Sequence, residues 1–460
     1  MTYMMEGIIK KIFRFLGIDR TVGFLILGRC WSVLAGPISL ILIVSCLNKV
    51  EQGFYYTFFS ISGLTVFFEL GLASVVMQFA SHEKANLQWA TDGTIQGSAD
   101  SKSRLAHLFK KSLQWYFVIA ILVLIFLGVF GVFFFDHNSR DYGSVNWMYP
   151  WLILVIFQAL SLPLSACGAI LEGLGLIQEI SKLRLMQTMM SALLTWTALL
   201  LGFKLFATVF MSLAGVIIGS WYILYAKRNI FIDLWRTSSE LSSLSWLKEI
   251  WPMQWRVAVS WLSGYFLTQI ITPIFFALRN PIDAGQWGFT YGVVSVIVSV
   301  SLYWFNARAP QFGVLVAKKN YSELDGLFFR TLKQSLTVSV LGLSLFVALA
   351  IVVSDIATIF SSRMLTITGV VFLALAAVAY QILMAGSVYL RAHKKEPLFL
   401  LMLILGCINA GAVYLLADRV EIHSIAALHF ILILLIGIFG GGYIFRLNRT
   451  RWHTTTETLT

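Results

Sequence analysis

Apolar and polar stretches alternate along the 460-residue chain with a regular rhythm. About twelve runs are nearly free of charge and long enough to cross a bilayer as helices, because about 20 residues at 1.5 Å rise span about 30 Å of hydrocarbon. They cover residues 22–44, 54–80, 113–135, 148–170, 187–201 and 206–226, then 257–278, 287–309, 336–353, 366–386, 397–417 and 425–445. The fifth is the weakest, since only Gly202, Phe203 and Lys204 part it from the sixth. The pattern predicts an all-α polytopic membrane protein with about 12 transmembrane helices in two six-helix lobes. The expected divisions are an amphipathic cytoplasmic-surface helix over 1–21, a lobe over 22–226, a cytoplasmic linker over 227–252, a lobe over 253–446 and a cytoplasmic tail over 447–460. In the first division Ile8, Ile9, Ile12, Phe13 and Leu16 recur at helical spacing while Lys10, Lys11 and Arg14 face away, as in a basic interfacial helix. No small-residue cleavage site follows it.

Charge between the runs tests this count. With the N-terminus inside, the inner segments hold roughly 27 Lys and Arg and the outer ones roughly 6, the bias of cytoplasmic loops. Lys102, Arg104, Lys110 and Lys111 mark one inner loop, and Lys318, Lys319, Arg330 and Lys333 another. Outer connections carry single cations such as Lys49, Arg140, Arg279 and Arg363. Fusing the fifth and sixth runs would invert every later loop, so both termini are expected in the cytoplasm.

Composition agrees. Charged residues are 12% and hydrophobic residues 58% of the chain, too apolar for soluble cores. The net charge of +12 is spread over loops rather than gathered on a soluble face, so no nucleic-acid partner is expected. Cys30, Cys46, Cys167 and Cys407 sit in or beside apolar runs without ligand spacing, and neither a metal nor another cofactor is expected.

An internal repeat is visible. Gly36, Pro37 and Ile38, then Glu51, Gln52 and Gly53, then Gln78 and Phe79 recur as Thr272, Pro273 and Ile274, then Asp283, Ala284 and Gly285, then Gln311 and Phe312. Six spans per half leave both halves in the same orientation, a parallel repeat of transporter type with a site between the halves.

No catalytic constellation is present. Outer loops are short, the longest near 136–147, leaving little room for the paired carboxylates of a membrane polymerase. Gly437, Gly440, Gly441 and Gly442 lack the Lys-Ser/Thr ending of a phosphate loop, and Gly437 with Gly441 fits close helix packing instead. An enzyme is not expected.

Ionisable groups inside the runs carry the chemistry that lipid would reject. Arg29 in the first run and Glu69 in the second lie at similar depth and are close enough to meet. They form either a structural ion pair or the wall of a cavity, where Arg29 attracts an anionic head group and Glu69 takes up a proton. Guanidinium suits diphosphate because it stays charged and offers paired donors. Arg308 and Asn306 end the eighth run and Gln269 lies in the seventh, further substrate-binding candidates; Gln158 and Gln381 are amides that also serve as interhelical glue.

The stretch Phe67, Phe68, Glu69, Leu70, Gly71 and Leu72, continued by Gln78 to Glu83, resembles bacterial polysaccharide flippases of the multidrug/oligosaccharidyl-lipid/polysaccharide exporter superfamily, the Wzx-like group. Glu51, Gln52, Gly53 and Phe54 are similar to that family's acidic-x-Gly-aromatic opening. The resemblance implies alternating access by two lobes and passage of undecaprenyl-diphosphate-linked O-antigen, capsule or exopolysaccharide units across the bacterial inner membrane, with ion coupling for which Glu69 is the candidate. Expected partners are that lipid-linked substrate, membrane lipids, a polysaccharide polymerase and a chain-length regulator. The alternative is a multidrug or metabolite cation antiporter of the same superfamily, which would recognise cations with buried carboxylates; a membrane-embedded polymerase ranks third. The polar insert at 91–101 carries no reading beyond a flexible loop.

Overall fold

The computed structural model describes residues 20–454 except 91–92, 143–144, 239–245, 357 and 394. The surface helix expected over 1–21 falls almost wholly outside the described residues. Twelve helical segments follow in order. The first is Arg20–Cys46; the second joins Lys49–Ser62, Val66–Glu69 and Leu72–Lys84. Next come Ala99–Asn138, Met148–Gly173, Ile177–Leu200 and Phe206–Trp221, the last prolonged by a wide turn over Tyr222–Ala226. The seventh joins Trp251–Gly264, a wide turn Tyr265–Gln269 and Ile271–Leu278; the eighth to eleventh are Pro281–Ala317, Tyr321–Ile356, Ile367–Ala392 and Phe399–Leu416. The twelfth runs through Ile422–Leu432, a wide stretch Ile433–Gly440 and Gly441–Thr454.

Among the described residues, eight helices are long and apolar enough to cross a membrane alone, and two bent pairs raise this to ten. The bends are 45° in the second segment and 43° in the seventh. The other two segments are the first, in which Leu34–Cys46 is the apolar stretch within the described side chains, and the fifth, which opens with Glu179, Lys182 and Arg184. Several helices outrun the hydrocarbon. The third has 40 residues, about 60 Å of helix against about 30 Å of core, so its Lys- and Arg-rich start stands clear of the lipid. Within each unit, the face carrying such basic ends is the basic face, and its opposite the far face.

The chain divides into two compact units. The first comprises the described residues up to Cys46 with Leu64–His137 and Ser144–Ala258; the second comprises Leu47–Gly63, Asn138–Gly143 and Val259 onward. The far-face half of the second segment thus belongs to the second unit and its other half to the first.

In the first unit the fifth segment packs along the first and sixth, and the fourth packs on Leu72–Lys84 and the sixth. Trp31 and Trp196 lie 5.8 Å apart, and the Trp196 indole donates to Ser39 Oγ at 2.8 Å, giving a buried N–H the partner it needs. On the basic face the described part of the 91–101 insert supplies one strand of an antiparallel hairpin and the start of the third segment, rather than a loose loop. Leu87–Trp89 pairs with Ile95–Gly97, and Asp233 holds it, accepting from the Ile95 amide at 3.2 Å and from Lys102 Nζ at 2.8 Å. Asp233 lies on a short helix, Arg228–Arg236, inside the interval expected to be a linker. Arg104 bridges Glu83 at 2.8 Å and Glu249 at 3.2 Å.

In the second unit the eighth segment is the centre, touching Lys49–Ser62, the ninth and the tenth. The two copies of the repeated acidic-x-Gly motif both open helices. Asn48 caps one, bonding the Glu51 amide while Glu51 bonds back to the Asn48 amide; Asn280 caps the other through the Asp283 amide. The two glycines let these helices touch, since a Cβ at Gly53 would overlap the Pro281 carbonyl and one at Gly285 would come within 3.0 Å of the Gly53 nitrogen. Gln52, buried beside them, donates to the carbonyls of Gly285 and Arg363, each at 3.0 Å. Gly437 and Gly441 serve similarly, their missing Cβ atoms leaving room for Leu383.

Candidate functional site

The resemblance-bearing stretch is a broken helix. Val66–Glu69 ends at Leu70 with φ 51°, Gly71 follows at φ 67°, and a new helix begins at Leu72. Glycine adopts this left-handed backbone freely, whereas leucine does so at a cost of about 1–2 kcal/mol. Glu69 lies at the break, about 22 Å along the helix from Lys84 and about 30 Å from Lys49, near the middle of the segment. A carboxylate at this depth needs a polar partner.

That partner is Tyr116, wholly buried in the third segment. Its hydroxyl donates to Glu69 Oε1 at 2.8 Å. One turn before Tyr116, the buried Ser112 hydroxyl has no partner among the described residues. One turn before Glu69, Thr65 Oγ1 accepts from Gln158 Nε2 at 3.4 Å. The second carboxyl oxygen of Glu69 has no bond among the described residues and can take or release a proton while Tyr116 holds the first.

The other sequence candidates fall as follows. Arg29 is on the first helix, but its side chain lies outside the described residues, as does that of Asn306, so a meeting of Arg29 with Glu69 is not part of the described structure. Arg308, half-buried in the second unit, donates to Thr331 Oγ1 at 2.8 Å. Gln269 closes the wide turn of the seventh segment and is exposed. Gln381 is buried and donates to Ser335 Oγ at 2.7 Å, the interhelical role open to an amide. Tyr116 was not legible as a partner of Glu69: it stands 47 positions away in a run whose apolar character gives no sign of which face meets the second segment.

The sequence matches no described protein-family model and no curated protein. The fold does have counterparts among solved structures. An inward-facing multidrug resistance MATE family transporter of the MOP superfamily matches with a TM-score of 0.64 at 14% identity, over 91% of this chain and 99% of its own. The fold is that of the MOP-superfamily transporters. An outward-facing structure of such a MATE transporter matches at 0.58 and 14% identity, over 94% of this chain and 97% of its own. A MOP transporter from Pyrococcus furiosus, described as having a binding pocket of reverse polarity, also matches at 0.58 and 14%, over 94% and 96%. At these identities the likeness establishes the fold, with its helices in two lobes, and nothing of the activity.

Proposed function

We propose that this chain is an alternating-access transporter that carries undecaprenyl-diphosphate-linked oligosaccharide across the bacterial inner membrane, with Glu69 as its ion-coupling group. The observation that carries this reading is where charge falls along the helices. Glu69 is the one carboxylate standing more than two turns from an end of its membrane segment, and it is already engaged by Tyr116. The first segment brings Arg29 to its tenth position. Segment interiors with so little acid suit a diphosphate head group better than a cationic drug, since an uncompensated charge in low dielectric is expensive. Sugar hydroxyls cannot cross hydrocarbon, whereas a polar cleft can shelter them while the prenyl tail stays in lipid. In this reading the basic face is cytoplasmic, and a polymerase and chain-length regulator receive the product on the other side.

Multidrug export is the second reading, favoured by the multidrug resistance of the solved MATE counterparts and by the pairing of a carboxylate with an aromatic ring at Glu69. A clean gene deletion separates the two. The flippase reading expects loss of surface polymer and lipid-linked units retained on the cytoplasmic leaflet, restored by the wild-type gene but not by Glu69→Gln. Normal polymer with new drug sensitivity would transfer the assignment to multidrug export.

A further inference from the structure

Two segments of the second unit depart from α-geometry at the same place. The seventh widens over Tyr265–Gln269 and the twelfth over Ile433–Gly440, and such i→i+5 turns gather at functional sites. Between them lies a buried polar chain. Asn409, wholly buried in the eleventh segment, donates from Nδ2 to the Leu267 carbonyl at 3.3 Å, and its Oδ1 faces His429 Nδ1 at 2.8 Å. The carbonyl can only accept, so the amide group must face it and Oδ1 must face the imidazole. His429 Nδ1 therefore carries a proton, and in the neutral ring Nε2 is a bare lone pair. No described residue donates to that nitrogen.

The His429 ring lines a cavity of about 200 Å³ that also receives Thr268, Tyr291, Ser295, Ser299 and Tyr380. A second cavity, about 270 Å³, is lined by Trp261, Gly264, Ser387, Arg391 and Glu396 and shares Tyr380 with the first. At the basic end of the tenth segment Arg391 pairs with Glu396 at 2.9 Å. The first cavity opens to the surface at Ser299, which is exposed, whereas Ser387 of the second is buried. The Tyr380 hydroxyl has no hydrogen-bond partner among the described residues.

We propose that His429 is a protonation site within the second unit, reached by water through the cavity that opens at Ser299. A proton relayed by cavity water binds Nε2, while the Nδ1 proton stays on Nδ1, donated to Asn409 Oδ1. The titratable groups facing the ring are Tyr291 from the eighth segment and Tyr380 from the tenth; Trp287 meets it edge-on with ring centres 6.1 Å apart. His423, on the same helix, is engaged at the far end with Glu421. Among the described residues no carboxylate and no basic side chain other than His429 lines this cavity, so an imidazolium there is tolerated only while water fills the space. Protonation of His429 and wetting of the cavity are therefore one event. This is separate from Glu69, which belongs to the other unit, and it holds whatever the cargo is.

The test uses the full-length protein in lipid nanodiscs with ¹⁵N-labelled histidine. Replacing the other six of the 7 histidines keeps His429 native and makes its nitrogen signals the only ones. Between about pH 8 and about pH 4, which brackets the histidine range, the Nε2 signal is expected to move from the unprotonated to the protonated position while Nδ1 remains protonated. An imidazole that stays neutral throughout overturns the protonation site. The readout is independent of transport, so it stands or falls apart from the proposed cargo.

Discussion

The Tyr116 hydroxyl reaches Glu69 across 2.8 Å, joining the third segment to the turn where the second one breaks. Tyr116→Phe removes that donor and keeps the ring. A hydrogen bond to a charged group is worth about 1.5–3 kcal/mol, so thermal unfolding in detergent should show a loss of that order. Glu69→Gln, which retains an acceptor for the phenol, should unfold near the wild-type midpoint yet abolish ion-coupled flux in proteoliposomes. A glutamine variant that still transports with normal ion dependence would remove Glu69 from coupling.

Gly53 and Gly285 permit the closest helix approach in the second unit. At Gly53 the obstacle is the Pro281 backbone, which cannot rotate aside. Gly53→Ala should therefore cost at least the about 1–3 kcal/mol typical of overpacking. Gly36→Ala, with nothing within 4 Å of the added atom, should leave stability unchanged. Paired melting curves check both.

Asp233 is the clasp of the hairpin on the basic face. Its two bonds, to the Ile95 amide and to Lys102, are lost or weakened in Asp233→Ala. Hydrogen exchange of the amides in Leu87–Trp89 and Ile95–Gly97 should quicken about ten-fold, the equivalent of about 1.4 kcal/mol, while exchange in the sixth segment stays as it was.

Glu179 gives a pH dependence with a defined sign. Burial opposes its ionisation, but hydrogen bonds from Lys227 and Tyr222, with the Lys227 charge, outweigh this and hold its carboxyl below the usual glutamate range. Its contribution is present above the unfolded value of about 4.3 and is lost as pH falls through the lower folded value. The wild-type melting midpoint should therefore drop over that acid window more than the midpoint of Glu179→Gln. Parallel curves for the two proteins would exclude a role for this contact.

Much of the architecture was legible from periodic apolar runs, because lipid forces every span to declare itself by composition. The weak fifth run is the segment where Glu179, Lys182 and Arg184 interrupt the signal. Glu69 was legible too, since a carboxylate inside an apolar run is conspicuous. Its environment was not. The break is made by Leu70, a good helix former whose left-handed backbone no propensity predicts, and Tyr116 meets Glu69 only through tertiary packing. The hairpin was hidden for a different reason: three-residue strands carry almost no alternation to read. Asn409 and His429 carried no signal in the sequence, because their link to Leu267 joins three different helices.

Leu70 also gives the second helix mechanical leverage. Its backbone carries about 1–2 kcal/mol that a straightened helix would release. The surrounding contacts must hold the kink against that release at all times. Adding or removing one proton on the neighbouring carboxyl changes local interactions by a similar amount. A small chemical event beside Leu70 is thus well matched to tip the helix from one shape to the other.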